Sequence, residues 1–237
     1  MTIGKNDDPL TLAEHLEELR SRLVKSVLCI IVTSGILYTF VDKINANLVK
    51  PVGKLVFIAP QEAFVTRIKI AFFGGLFLAL PFILYHFWRF ISAGLKQNER
   101  KFTLIFGPLS LLFFVVGAVF GYSIIVPIGV KFLLGFSTEF IVPMISVNKY
   151  VSFVGMLTFA FGIIFELPIA SLFLTKIGVV TPQFLANKRK HAIVFIFIGA
   201  AMLTPPDVIT QCLMAGPLLV LYEIGILFSK IVYKKAS

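Results

Sequence analysis

The chain has 237 residues, of which 58% are hydrophobic, 14% aromatic and only 14% charged, and its mean hydropathy is +0.94. A soluble domain carries roughly a quarter charged residues and could not bury this much apolar surface, which excludes an ordinary cytosolic enzyme, a secreted disulfide scaffold and a disordered tail, and makes lipid the expected solvent. The net charge of +10 sits in Lys and Arg clusters between apolar runs, not along one basic face, a placement that writes membrane topology and argues against nucleic acid.

The first element spans residues 10–23. Thr11-Leu12-Ala13-Glu14 fits a capping box, and Leu12, Leu16, Leu19 and Leu23 follow at helical spacing with Glu14, Glu17, Glu18, Arg20 and Arg22 off that stripe. This reads as an amphipathic cytoplasmic helix leading into the first span. On pattern alone its charges pair with one another, as Glu18 and Arg22 would at i,i+4.

A helix needs about 20 mostly apolar residues to cross the hydrocarbon core. Six runs answer to that in chain order: Val24 to Phe40, Ile68 to Trp88, Phe102 to Val126, Tyr150 to Leu174, His191 to Thr204 and Val208 to Phe228. The fifth is short and stops at Pro205-Pro206-Asp207; the sixth, also short, is interrupted by Gly216-Pro217. The first run reads as a span and not as a cleaved leader, because a charged, patterned segment precedes it and no small-residue cleavage site follows. Of the 22 Lys and Arg, 15 lie in the amino-terminal segment, residues 89–103, residues 175–190 and the carboxyl tail, so those parts and both termini are expected in the cytoplasm. The expected architecture is a single all-α membrane domain over residues 1–237 with six transmembrane helices and short fifth and sixth spans. No repeat relates its halves, which removes the plan of many secondary transporters.

Few residues stand out chemically. Glu166 lies inside the fourth span, where a carboxylate costs several kcal/mol unless it is paired, protonated or wetted, so a functional role and a polar recess are expected there. Pro168 follows it and predicts a bent helix. Glu223 is nearer a span end and can snorkel outward. Asp207 suits a cap for the sixth helix. Cys29 and Cys212 read as small buried hydrophobes. His15, His86 and His191 have no metal-ligand spacing, and there is no phosphate loop, nucleophile elbow or pair of membrane Asp residues. No cofactor, metal or catalytic group is expected. The residues alone leave open a proton-coupled small-molecule transporter that uses Glu166 as carrier.

Five segments, in order, carry a resemblance. His15-Leu16-Glu17-Glu18-Leu19-Arg20-Ser21-Arg22-Leu23 resembles the HLxELRxRL signature of the TatC family, the polytopic subunits of the twin-arginine protein translocase. Pro81-Phe82-Ile83-Leu84-Tyr85-His86-Phe87-Trp88-Arg89-Phe90-Ile91 is similar to that family's stretch around the second span, with His86 where Gln is usual. Asn98-Glu99-Arg100-Lys101 resembles its loop acid with basic neighbours, and Phe161-Gly162-Ile163-Ile164-Phe165-Glu166-Leu167-Pro168 its fourth-span motif. Leu203-Thr204-Pro205-Pro206-Asp207-Val208-Ile209-Thr210-Gln211 completes the set.

The resemblance implies a receptor, not an enzyme, in a bacterial inner membrane. It would bind the twin-arginine signal peptides of folded precursors, self-associate, and work with single-span partners resembling TatA and TatB. Glu18, Arg20, Arg22, Leu23, Phe90 and Glu99 correspond to signal-recognition positions. Glu166, Asp207 and Gln211 correspond to positions on a concave face and a turn where partner helices dock. Pro51, in the first external loop, corresponds to a position linked to activity. With no nucleotide site, the energy would come from the membrane gradient or from binding.

Overall fold

A computed structural model describes residues 12–50, 52, 55–95, 97–135, 137, 143–203 and 208–236, with the backbone alone for 12, 97–99, 101 and 234–236. Thr11 of the expected capping box, Pro51 and Asp207 lie outside the described residues, as does the Glu99 side chain.

The described chain is all helix apart from turns and a single bridge. Helix α1 (Leu12–Tyr38) runs without a break from the patterned segment into the first apolar run, and the short α2 (Val41–Val49) follows. Next come α3 (Glu62–Ala93) and α4 (Gln97–Phe120). A π-helical turn at Gly121–Ile125 leads from α4 into α5 (Val126–Leu134). Helix α6 (Val147–Ile164) is followed after one residue by α7 (Glu166–Lys176). The chain ends with α8 (Pro182–Asn187), α9 (Arg189–Leu203) and α10 (Val208–Ala236).

Five stretches are long and apolar enough to cross a membrane: Ala13–Tyr38, Glu62–Ala93, Phe102–Leu134, Val147–Lys176 and Val208–Tyr233. The expected fifth run is α9, a helix of only 15 residues. The sixth differs from expectation: α10 is 29 residues long and continues through Pro217. A proline removes one helix hydrogen bond, which neighbouring turns and helices can absorb inside a bilayer.

Two proline effects shape the middle of the chain. Pro168 is the third residue of α7, where its missing N–H is not needed, so the bend falls one turn earlier at Phe165 and starts a new helix at Glu166. Pro127 follows the π-helical turn, whose wider ring accommodates the lost donor. Gly121 lies in that turn against α6; a Cβ there would meet Phe161 Cβ at 2.9 Å.

Helix α3 is the central strut, with α1 packed along one side and α4 and α6 on others. Thr33 Oγ1 on α1 donates to the Gly75 carbonyl at 2.8 Å, where the two helices touch. Small residues allow such backbone approach when no hydrophobic force drives helices together in lipid. One core, built from Leu157, Phe161, Ala200, Met214, Ala215 and Leu218, joins α6, α9 and α10. A second joins α3, α4 and α7: Trp88 stacks on Phe106 at 5.7 Å and meets Phe173 edge-on at 5.0 Å.

Candidate functional site

The helices alternate in direction, so the start of α1, the end of α3, the start of α4 and the end of α7 meet at one end of the bundle. This is the end at which most Lys and Arg gather. His15, Glu18 and Arg22 share one face of α1, being three and seven residues apart, and that face lies against α3. The His15 ring stacks on Phe90 with centroids 4.3 Å apart. Arg22 donates from Nε to Glu18 Oε1 at 3.1 Å, and a second, shorter contact from Nη2 ends on the same oxygen. Arg22 Nη1 stands 3.4 Å from His86 Nδ1 on α3. The Glu18 and Arg22 side chains are 25% and 15% exposed, well shielded for charges at a bundle end.

The face of α1 that meets protein is therefore the polar one. Leu16, Leu19 and Leu23 point outward, 63%, 41% and 62% exposed, and Arg20 is exposed with them. An amphipathic helix at the foot of a span can lay its apolar stripe on the membrane surface while its polar groups find partners inside. The structure thus brings together Glu18, Arg22 and Phe90 but leaves Arg20 and Leu23 on the surface. Glu99 sits in the first turn of α4, its side chain undescribed. The sequence assigns no recognition role to His15 or His86, although both fall within the resembling motifs. Their spacing to Glu18 and Arg22, and the position of His86 one turn before Phe90, carried the signal. Among the described residues no three His, Cys, Asp or Glu gather as metal ligands would.

Glu166 stands at the crossing of α4 and α7. Ser110, 1% exposed, donates its hydroxyl to Glu166 Oε2 at 2.5 Å. Oε1 is shielded and has no hydrogen-bond partner among the described residues. Pro168 lies in the first turn of α7, and Ser110 of α4 supplies the described polar contact of Glu166 there.

Two further expectations are refined. Glu223 does not merely snorkel: Arg189 grips both its oxygens, at 2.7 and 2.9 Å, tying the start of α9 to α10. Gln211 Nε2 donates to the Phe197 carbonyl at 3.0 Å, clipping the other end of the same hairpin. At the opposite end of the bundle Glu62 Oε2 accepts from Ile58 N at 2.9 Å and Ser146 Oγ at 3.1 Å. The adjoining bridge pairs Val56 with Ser146.

Residues 14–217 match the family model described as Sec-independent protein translocase protein (TatC). The chain belongs to the TatC family. It is 44% identical over 234 residues to the TatC of Carboxydothermus hydrogenoformans, covering 97% of this chain and 96% of that one. It is 43% identical to the TatC of Aquifex aeolicus, covering 95% and 97%. A crystal structure of a TatC described as a twin-arginine translocase receptor superposes with a TM-score of 0.85 at 42% identity, over 92% of this chain and 99% of that one. As in that TatC, the fold is a helical, multi-pass membrane architecture.

Proposed function

We propose that the chain is the receptor core of a twin-arginine protein translocase, with six spans in a single domain and both termini in the cytoplasm of a bacterium. It binds the twin-arginine signal peptides of folded precursors and assembles with further copies and with TatA-like and TatB-like single-span subunits. What carries the reading is a carboxylate, Glu18, held at the α1–α3 seam of the basic end in a fold that matches a twin-arginine translocase receptor closely.

The geometry supports a division of labour. Both Arg22 contacts end on Glu18 Oε1, so Oε2 is the oxygen on offer to an incoming guanidinium. Arg22 positions the carboxylate, and His86 in turn abuts Arg22. Glu99 is the proposed second carboxylate, one for each arginine, and Phe90 the apolar surface between them. Arg20 and Leu23, facing outward, would touch the flanks of a peptide and not its arginines. Glu166 and the α9–α10 hairpin with Asp207 and Gln211 would meet partner helices, and Pro51 would act from the external loop. The membrane gradient would supply the energy.

Glu18→Ala should weaken binding of a twin-arginine peptide by about tenfold, the worth of one charge-assisted hydrogen bond. Glu17→Ala, turned about 100° around the helix, should change it little. Fluorescence anisotropy on the detergent-purified chain compares them. Equal losses at Glu17 and Glu18 would mean diffuse charge attraction and would contradict a defined site.

A further inference from the structure

A groove of about 540 Å³ runs between α3 and α4 at the basic end, beside the Trp88 cluster and apart from the proposed peptide contacts. Toward the middle of α3 and α4 its lining is apolar, with Pro81, Leu84 and Leu111. Its rim is polar: Arg89 and Tyr85 stand there, and Arg89 Nη1 donates to the Tyr85 hydroxyl at 2.6 Å. Pro81 and Arg89 are eight residues apart on α3, so the apolar part descends about 12 Å from the guanidinium. Leu104, 80% exposed, marks the side on which the groove opens outward.

In a bilayer such a crevice is not left empty, since a void forfeits the contacts of the atoms that line it. An apolar floor disfavours water. The layering, charge at the rim and apolar walls beneath, is that of a lipid. Arg89 takes part in none of the ion pairs found among the described residues; its described hydrogen-bond partner is the Tyr85 hydroxyl. A guanidinium that already holds a tyrosine hydroxyl keeps further N–H donors free for a phosphate.

We infer that this groove is a binding site for one anionic phospholipid, its phosphate on Arg89 and Tyr85 and an acyl chain along Pro81, Leu84 and Leu111. The inference uses only the chain's place in a membrane and is independent of peptide binding. Gly107 on the α4 wall offers a way to fill the groove: a Cβ there meets only Trp88 Cδ1, at an ordinary 3.9 Å.

The test equilibrates the full chain in detergent with equal amounts of phosphatidylglycerol and phosphatidylcholine of matched acyl chains, and counts retained lipid by native mass spectrometry. The chain should keep phosphatidylglycerol over phosphatidylcholine by about fivefold, the worth of one basic side chain near the headgroups. Arg89→Gln, a surface change, should still retain lipid but lose the preference. Gly107→Leu should lose both lipids with its melting temperature unchanged, and inorganic phosphate should not compete. Equal retention of the two lipids by the unaltered chain would overturn the inference, as would a preference that survives both substitutions. Competition by inorganic phosphate would reduce the site to an anion site without a lipid. Displacement of the lipid by a signal peptide would reassign the groove to the peptide's apolar segment.

Discussion

Gly75→Leu should lower the melting temperature of the detergent-purified chain sharply and abolish peptide binding with it. A Cβ at Gly75 would stand 2.3 Å from Ser34 Oγ and 2.5 Å from Ser34 Cα and N. Two of those atoms are backbone, so no rotamer change relieves the clash and the helices must part. Overpacking typically costs 1–3 kcal/mol, and a backbone contact places this one at about 3 kcal/mol. The loss is concentrated because α3 is the main neighbour of α1, and the apolar window of α1 is otherwise unburied. Parting the helices also breaks the Thr33–Gly75 hydrogen bond and separates His15 and Arg22 from Phe90 and His86. Gly35→Ala, on the open side of α1, meets nothing within 4 Å and serves as the control. Unchanged melting and binding in Gly75→Leu would mean that α1 is not seated on α3 as described.

Glu166→Leu should stabilise the isolated chain while abolishing export. A carboxylate in a span costs about 2.5–3.5 kcal/mol on insertion scales, and here only one oxygen is matched, by Ser110. Leucine removes that cost and leaves a serine hydroxyl able to bond the carbonyl one turn earlier in its own helix. The expected net gain is about 1–2 kcal/mol, read as a higher melting temperature. Export and crosslinking of partner helices should fall by about tenfold or more, because the polar contact they would use is gone. Glu166→Gln keeps an acceptor for Ser110 and should be milder in both respects. Peptide binding at Glu18 should stay within about twofold of the unaltered chain, since the two sites are on different helices. Parallel losses of stability and export in Glu166→Leu would make Glu166 a structural group and end its assignment to docking.

These two sites show what the sequence made legible and what it did not. The apolar runs located the helices because lipid demands length and apolarity. The helices continue beyond the spans they contain where polar residues find partners: α3 extends back to Glu62, with Arg67 reaching Asp42. The bend before Pro168 was legible because proline acts locally, and it fell where a missing N–H predicts. The inward face of α1 was not legible. A leucine stripe does not by itself say what it faces, and here the polar face of α1 makes the seam. Long-range pairings such as Arg189 with Glu223 and Ser110 with Glu166 join residues 34 and 56 apart, a separation no local pattern encodes. The candidate recognition residues came from motif resemblance, and the placement of Glu18, Arg22 and Phe90 at the α1–α3 seam came from the fold.

The central claim is that the basic end reads paired guanidinium groups. The direct measurement is the affinity of the purified chain for a twin-arginine signal peptide and for its Lys-Lys counterpart, with and without Glu18→Ala. Lysine offers a point charge and cannot match a carboxylate with two parallel bonds, so the arginine peptide should bind about tenfold tighter or more. Glu18→Ala should shrink that gap while leaving the Lys-Lys affinity little changed. Equal affinity for the two peptides in the unaltered chain would contradict the account.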